Sequence, residues 1–98
     1  MENQFDLIRE WANERGLIQK GDVKTQTLKL MEETGELAQS LLKDNRLGAI
    51  DAIGDIVVVL TNLAAIMEID IEDCIAFAYQ EIKNRQGKMV NGTFMKNN

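Results

Sequence analysis

Three glutamates, Glu32, Glu33 and Glu36, stand close together in a stretch that otherwise has the apolar spacing of a core-facing helix. Residues three and four apart share one face of an α-helix, so Glu36 is expected beside both Glu32 and Glu33. Like charges packed together near a core are unfavourable unless a cation holds them. The cluster therefore predicts a cation site, whereas the alternative is a solvated helix face.

A second acidic pair, Asp51 and Asp55, is spaced four residues apart at the head of the most apolar run, residues 56–67. If the two helices pack along their apolar sides, the two groups of carboxylates converge at the seam. The chain has no His and a single Cys, and hard oxygen ligands select Mg²⁺ or Mn²⁺ over zinc or copper. The sequence thus predicts a magnesium or manganese site.

Four further polar side chains are candidates for binding a phosphate-bearing ligand: Lys29, Asn62, Lys83 and Arg85. Asn62 lies two helical turns after Asp55 on the same face, where it binds a ligand or satisfies a backbone group. Lys29 lies one turn before Glu33, so it neutralises that carboxylate or contacts a phosphate. The other two cations end the last predicted helix, and for each cation the alternative is an ordinary surface charge.

Length and charge restrict the class of protein. A chain of 98 residues with 45% hydrophobic residues is expected to form one domain, residues 1–98, with a modest core. So short a chain buries little of its surface, which favours contacts between copies. The net charge of −5 argues against binding to a nucleic acid polymer. The charge is uneven, because residues 82–98 carry four cations and no acid, which leaves −9 on the remainder.

Neither a signal peptide nor a membrane span is evident, because the apolar run 56–67 is too short to cross a bilayer. We therefore expect a cytoplasmic protein that does not bind membranes.

Four helices are predicted, over residues 2–15, 22–43, 47–67 and 71–84, with an irregular tail from residue 85. The β-branched residues 56–60 also suit a buried strand, but the apolar character continues through Ala65 without Gly or Pro, which favours a helix. Since this third helix is apolar on most sides, it is expected at the centre of a bundle or of a dimer.

The helical spacing also predicts which side chains face the core. The expected inward residues are Phe5, Ile8, Trp11 and Ala12 of the first helix, Leu30, Thr34, Leu37 and Leu41 of the second, and Ile71, Cys74, Ile75, Ala78 and Ile82 of the fourth. Core packing is favoured for Trp11, although an aromatic ring also stacks on a nucleobase.

The order of these features resembles the MazG-like family of all-α nucleoside triphosphate pyrophosphohydrolases, in particular its small phage-type members. The resemblance rests on Glu32-Glu33-x-x-Glu36, on Gly54-Asp55 before an aliphatic helix with Asn62, and on the ending from Glu81 to Phe94. It implies a four-helix bundle completed by oligomerisation into a homodimer or homotetramer. It also implies Mg²⁺-dependent cleavage of a nucleoside triphosphate into a nucleoside monophosphate and pyrophosphate.

Carried over to this chain, the family motif makes Glu33, Glu36 and Asp55 metal ligands, and Glu32 a ligand or the residue that orients the attacking water. Glu32 and Glu33 are thus the catalytic candidates. The motif is EExxE followed by ExxD, and its second Glu falls at Ala52 in this sequence. The neighbouring Asp51 is expected to serve as the ligand in its place.

Ala52 also favours the alternative function, a catalytically weak or inactive helical module that binds a nucleotide or a partner protein. A di-iron carboxylate bundle ranks below both functions, because that class needs paired Glu-x-x-His motifs and this chain has no His.

Overall fold

The computed structural model describes residues 2–97, which form five helices followed by one antiparallel β-hairpin. The helices are α1 (Gln4–Glu14), α2 (Leu17–Lys20), α3 (Val23–Leu42), α4 (Arg46–Ile66) and α5 (Ile71–Ile82), and the strands are β1 (Gly87–Val90) and β2 (Thr93–Lys96). The four predicted helices are confirmed as α1, α3, α4 and α5. The single-turn helix α2 was not predicted.

Side-chain caps fix where the two long helices begin. The carboxylate of Asp22 accepts a hydrogen bond from the backbone N–H of Thr25 at 2.8 Å and so caps the start of α3. At the start of α4, the amide oxygen of Asn45 accepts a hydrogen bond from the N–H of Gly48 at 2.9 Å. Asp70 occupies the N-cap position of α5 without a side-chain hydrogen bond.

Helix α4 contacts each of the other four helices, which confirms the prediction that it is central. Its most extensive contact is with α3, which runs antiparallel to it after the short turn at 43–45. Two pairs of neighbouring residues indicate the register of α3 against α4, Ser40 with Gly48 and Glu33 with Asp55. A methyl group added at Gly48 would lie 2.7 Å from Ser40 Oγ, and the Asp55 carboxylate is near Glu33. Residues 36 and 52 are therefore level with each other, as are residues 26 and 62.

The buried apolar core consists of small side chains: Ala12, Ala49, Ala52, Val59 and Ala64. Many large apolar side chains are exposed instead. The exposed residues that were predicted to face inward include Trp11, Leu41, Cys74, Ile75, Ala78 and Ile82. Those inward assignments are wrong within a single chain. For α5 the reason is that it packs on α4 over a limited area, so most of its residues are exposed.

The chain is more open than a compact monomer of its size. Its accessible surface is 7765 Å², whereas about 5,700 Å² is typical for a folded monomer of this mass. Its radius of gyration is 16.0 Å, compared with about 13 Å for a compact domain of roughly 100 residues. Much apolar surface is therefore left for another partner to cover.

The tail after α5 is a β-hairpin, so the prediction of an irregular tail is wrong. Gly87 pairs with Lys96 and Val90 pairs with Thr93. The connecting residues Asn91 and Gly92 have φ angles of 50° and 83°. Two consecutive positive φ values are typical of a type I′ turn, whose twist matches that of the strands it joins. The Asn-Gly dipeptide is the sequence signal for this hairpin.

By length and composition alone, α4 is long and apolar enough to cross a membrane. The prediction that no segment is long enough to cross a bilayer was based on the apolar run 56–67 alone. The helix that contains this run spans the 21 residues Arg46–Ile66. One third of its most apolar stretch is buried inside this chain. Since the core helix of a helical bundle meets the same criterion, length does not assign α4 to a membrane.

Candidate metal centre

Glu32, Glu33 and Glu36 come together on α3 as their spacing predicted. One carboxylate oxygen from each lies within 4.8 Å of the other two. Glu33 is buried, with 7% of its surface exposed, whereas Glu32 and Glu36 are exposed. The cluster thus extends from the interior, at Glu33, to the surface.

The face of α3 that packs on α4 is partly polar. Gln26 and Glu33 are buried there, and Leu30 and Leu37 are half-buried beside them. Thr34 is exposed, although it was predicted to share the apolar side with Leu30 and Leu37. The buried face is therefore rotated towards the glutamates, and this rotation places Glu33 at the seam between α3 and α4.

The pKa of the Glu33 carboxyl is raised. Burial is the largest cause, followed by the negative charge of the neighbouring Glu36 and then by the charge of Asp55, while Lys29 acts in the opposite direction. The Oε2 atom of Glu33 is buried without a hydrogen-bond partner. A buried carboxylate oxygen that no donor satisfies is unfavourable by itself and suits a bound cation.

The two aspartates of α4, Asp51 and Asp55, differ in burial. Asp55 is half-buried and acts electrostatically on Glu33, so it approaches the cluster as predicted. Asp51 is exposed, and among residues 2–97 neither aspartate joins the three glutamates within 4.8 Å. Ala52 is 3% exposed and level with Glu36 across the helix pair. The motif position that lacks a carboxylate thus lies inside the seam, beside the cluster.

The predicted phosphate-binding residues lie in different surroundings. Lys29 is close enough to lower the pKa of Glu33. Asn62 is 2% exposed, and its Oδ1 atom has no hydrogen-bond partner. Lys83 and Arg85 are exposed at the end of α5, and no hydrogen bond or ion pair within the described chain joins them to the glutamates.

Sequence reasoning missed Gln26, which is buried and level with Asn62 across the seam. Each long helix thus buries one amide seven residues from an acidic residue, Gln26 before Glu33 on α3 and Asn62 after Asp55 on α4. The available signal was the spacing of seven residues, which Gln26 and Glu33 on α3 share with Asp55 and Asn62 on α4.

A groove of about 370 Å³ opens beside Asp55, lined by Leu7, Ile8, Trp11, Asp55 and Val58. The Trp11 side chain is 47% exposed, so the prediction that it packs in the core is wrong. The guanidinium carbon of Arg15 lies 4.4 Å from the centre of the Trp11 ring, within the range of a cation–π contact. An apolar groove with an aromatic wall therefore adjoins one candidate metal ligand.

An ion pair joins α1, which carries one wall of this groove, to α5. Arg9 Nη1 and Nη2 donate to Glu72 Oε1 and Oε2, each at 2.6 Å, and Nη2 also donates to Asp6 Oδ1 at 2.6 Å. The hydrogen bonds from Arg9 lower the pKa of Glu72 to about 2. Paired donors of this kind fix orientation as well as distance.

Comparison with known proteins assigns most of this architecture to one family. Residues 22–90 match the family model described as MazG nucleotide pyrophosphohydrolase domain. A protein of Haemophilus phage HP1 (strain HP1c1), described as an uncharacterized 18.2 kDa protein in the rep-hol intergenic region, is 40% identical over 63 residues. The aligned region covers 64% of this chain and 39% of that relative, so it spans about two fifths of the relative's length. No solved structure matches.

Proposed function

The chain belongs to the family of MazG nucleotide pyrophosphohydrolase domains, and from this membership we propose that it hydrolyses nucleoside triphosphates in a metal-dependent reaction. The products are a nucleoside monophosphate and pyrophosphate. The observation that carries the proposal is the buried, unpartnered Oε2 of Glu33 within a cluster of carboxylates. Every carboxylate of that cluster lies inside the matched residues.

The donor set suits Mg²⁺, with Mn²⁺ as a substitute, because it consists of carboxylate oxygens alone. Glu33, Glu36 and Asp55 hold the ion, and Asp51 is the further ligand if its side chain turns towards the seam. A bound divalent cation neutralises charge on the phosphate oxygens during the reaction. Glu32 supports this proposal because it is exposed at the mouth of the cluster, where it can accept a hydrogen bond from the attacking water.

The groove beside Asp55 is the proposed site of the nucleoside. Its apolar lining and the half-exposed Trp11 ring suit a nucleobase, which stacks favourably on an aromatic side chain. Lys29 is proposed to contact the phosphates, because its charge already acts on Glu33. Lys83, Arg85 and Asn62 stay candidates for the same ligand, Asn62 because its Oδ1 has no partner.

The functional unit is proposed to be a homodimer or homotetramer in the cytoplasm. The chain exposes about 2,000 Å² more surface than a compact monomer of its size. A stable interface buries about 800 Å² or more on each partner. The outer face of α4 offers apolar contacts for this purpose through Leu47, Ile50, Ile53 and Val57, which are all exposed. A second copy that covers them would complete the bundle.

One observation favours the second candidate function, a weak or inactive nucleotide-binding or protein-interaction module. Ala52 supplies no carboxylate at the motif position beside Glu36. The exposed Asp51 replaces that carboxylate only if its side chain moves from its place in this structure.

A panel of nucleoside triphosphates incubated with the protein separates the two functions. With Mg²⁺ we expect release of monophosphate and pyrophosphate, and with EDTA we expect none. Glu33→Gln should abolish the release, whereas Glu81→Gln, an exposed glutamate at the end of α5, should not change it. Absence of turnover at every nucleotide would reject the enzyme and favour the binding module.

A further inference from the structure

The hairpin β1–β2 presents apolar side chains on both of its faces. Every residue of the two strands is exposed. Met89 pairs directly with Phe94, and since side chains alternate along a strand, these two share one face while Val90 and Met95 lie on the other. Within residues 2–97 no helix buries either face.

The sequence nevertheless specifies this hairpin. Its turn has the two positive φ values that a type I′ turn requires, at Asn91 and Gly92. A hydrogen bond of 2.8 Å from the N–H of Asn97 to the carbonyl of Gln86 closes its open end. An isolated two-stranded hairpin is at best marginally stable in water, so a hairpin with this much exposed apolar surface needs a surface to pack against.

The positive charge of the hairpin segment indicates what kind of surface the hairpin packs against. Lys83, Arg85, Lys88 and Lys96 give residues 82–98 a charge of +4, while residues 1–81 carry −9. The complementary partner is therefore acidic and apolar, and the helical body of this same protein has both properties. A nucleic acid would match the charge but would leave Met89 and Phe94 uncovered.

We propose that the β1–β2 hairpin is an arm that packs against the acidic helical body of a second copy of this chain. The proposal rests on the oligomer of the proposed function and names the segment that forms part of its interface. Apolar contacts from the strands supply the burial, and Lys88 and Lys96 supply attraction between opposite charges. Because this attraction acts between exposed groups, salt weakens it.

Hydrogen–deuterium exchange of the hairpin amides, measured with the full chain over a range of protein concentrations, tests the arm directly. We expect slow exchange of residues 88–96 where sedimentation shows an oligomer, and fast exchange after dilution to the monomer. Rapid exchange in an intact oligomer would overturn the proposal, as would slow exchange that persists in the monomer.

A pair of double variants tests the charge. Lys88→Glu with Lys96→Glu should raise the dissociation constant of the oligomer by about tenfold in low salt, because attraction at two positions becomes repulsion. Lys20→Glu with Lys24→Glu changes the net charge equally at exposed positions on α2 and α3 and should have a smaller effect. Equal effects of the two variants would show that net charge, not the arm, is responsible. Phe94→Ser should weaken assembly at every salt concentration.

The outcomes also separate this proposal from the proposed function. An active oligomer whose hairpin exchanges freely would reject the arm alone. A protein that is monomeric at every concentration would reject the arm and the proposed assembly together. Absence of nucleotide hydrolysis would reject the proposed reaction without affecting the exchange result.

Discussion

Glu33 on α3 and Asp55 on α4 are far apart in the sequence but near enough in the fold for the Asp55 charge to add to the rise in the Glu33 pKa that burial and Glu36 cause. Burial of Glu33 is the larger cause of the shift, and the charge of Glu36 is the next. The two long helices therefore bring Asp55 within electrostatic range of Glu33, whereas Asp51, the other predicted member of the acidic pair, is exposed. The Oε2 atom of Glu33 is buried without a partner.

The first prediction concerns two of the proposed ligands. Glu36→Gln and Asp55→Asn should each lower Mg²⁺-dependent hydrolysis by about 100-fold or more, since even outer-shell partners of metal ligands change affinity by about 10- to 100-fold. Far-UV circular dichroism should keep the helical signal, because neither side chain is fully buried. Full activity in either variant would remove that residue from the metal site.

The second prediction concerns the missing motif carboxylate. Ala52→Glu places an acid in the seam, level with Glu36, so without metal it should lower the melting temperature. The rise in melting temperature on addition of Mg²⁺ should be larger in this variant than in the unaltered protein. The same change in melting temperature should be measured for Asp51→Asn, at the exposed neighbouring position. If Ala52→Glu has no effect on metal binding and Asp51→Asn abolishes it, then Asp51 already serves as the ligand.

A third prediction follows from the ion pair between Arg9 and Glu72. The hydrogen bonds from Arg9 lower the pKa of Glu72 from 4.5 to about 2, so the folded state favours the charged carboxylate. This contribution to stability is present above pH 4.5 and is lost as the pH falls towards 2. Glu72→Gln should lower the urea midpoint clearly at pH 7 and much less at pH 2, where about half of the Glu72 carboxyls are protonated, with Glu81→Gln as the control. An equal loss at both pH values would contradict this account.

The fourth prediction tests the hairpin turn. Gly92 has a φ of 83°, a conformation that costs other residues about 1–2 kcal/mol, so Gly92→Val should unfold the hairpin without loss of helix. Nuclear magnetic resonance contacts between the paired residues Met89 and Phe94 should disappear in the variant. Substitution of the exposed Lys88 by Gln should keep those contacts. Retention of the contacts in the valine variant would show that the turn does not control the hairpin.

The sequence was sufficient to predict the long helices and the acidic cluster, because both depend on local spacing. Asp22 and the apolar period defined α3, and the continuous apolar run through Ala65 correctly favoured a helix over a strand. The spacing of Glu32, Glu33 and Glu36 predicted their convergence directly.

The sequence did not predict which apolar face the chain itself covers. Leu41 and Ile75 have the helical spacing of core residues, but they are exposed because no element in the described part of the chain packs over them. Spacing describes a face and does not identify its partner. The burial of Gln26 and Glu33 could not be predicted from the spacing either, because it depends on how α3 is rotated against α4.

The hairpin is a different kind of error, because its signal was present in the sequence. Asn91-Gly92 between Met89, Val90 and Phe94 is a recognisable turn between two short strands. The short strands and the neighbouring glycine and asparagine instead suggested an irregular tail.

The most direct test of the central claim is hydrolysis of a nucleoside triphosphate in ¹⁸O-labelled water, followed by ³¹P nuclear magnetic resonance. The account predicts nucleoside monophosphate and pyrophosphate in the presence of Mg²⁺, and no products with EDTA or with Glu33→Gln. The label should appear in only one of the two products. Release of a nucleoside diphosphate and free phosphate, or turnover that is unchanged in Glu33→Gln, would contradict it.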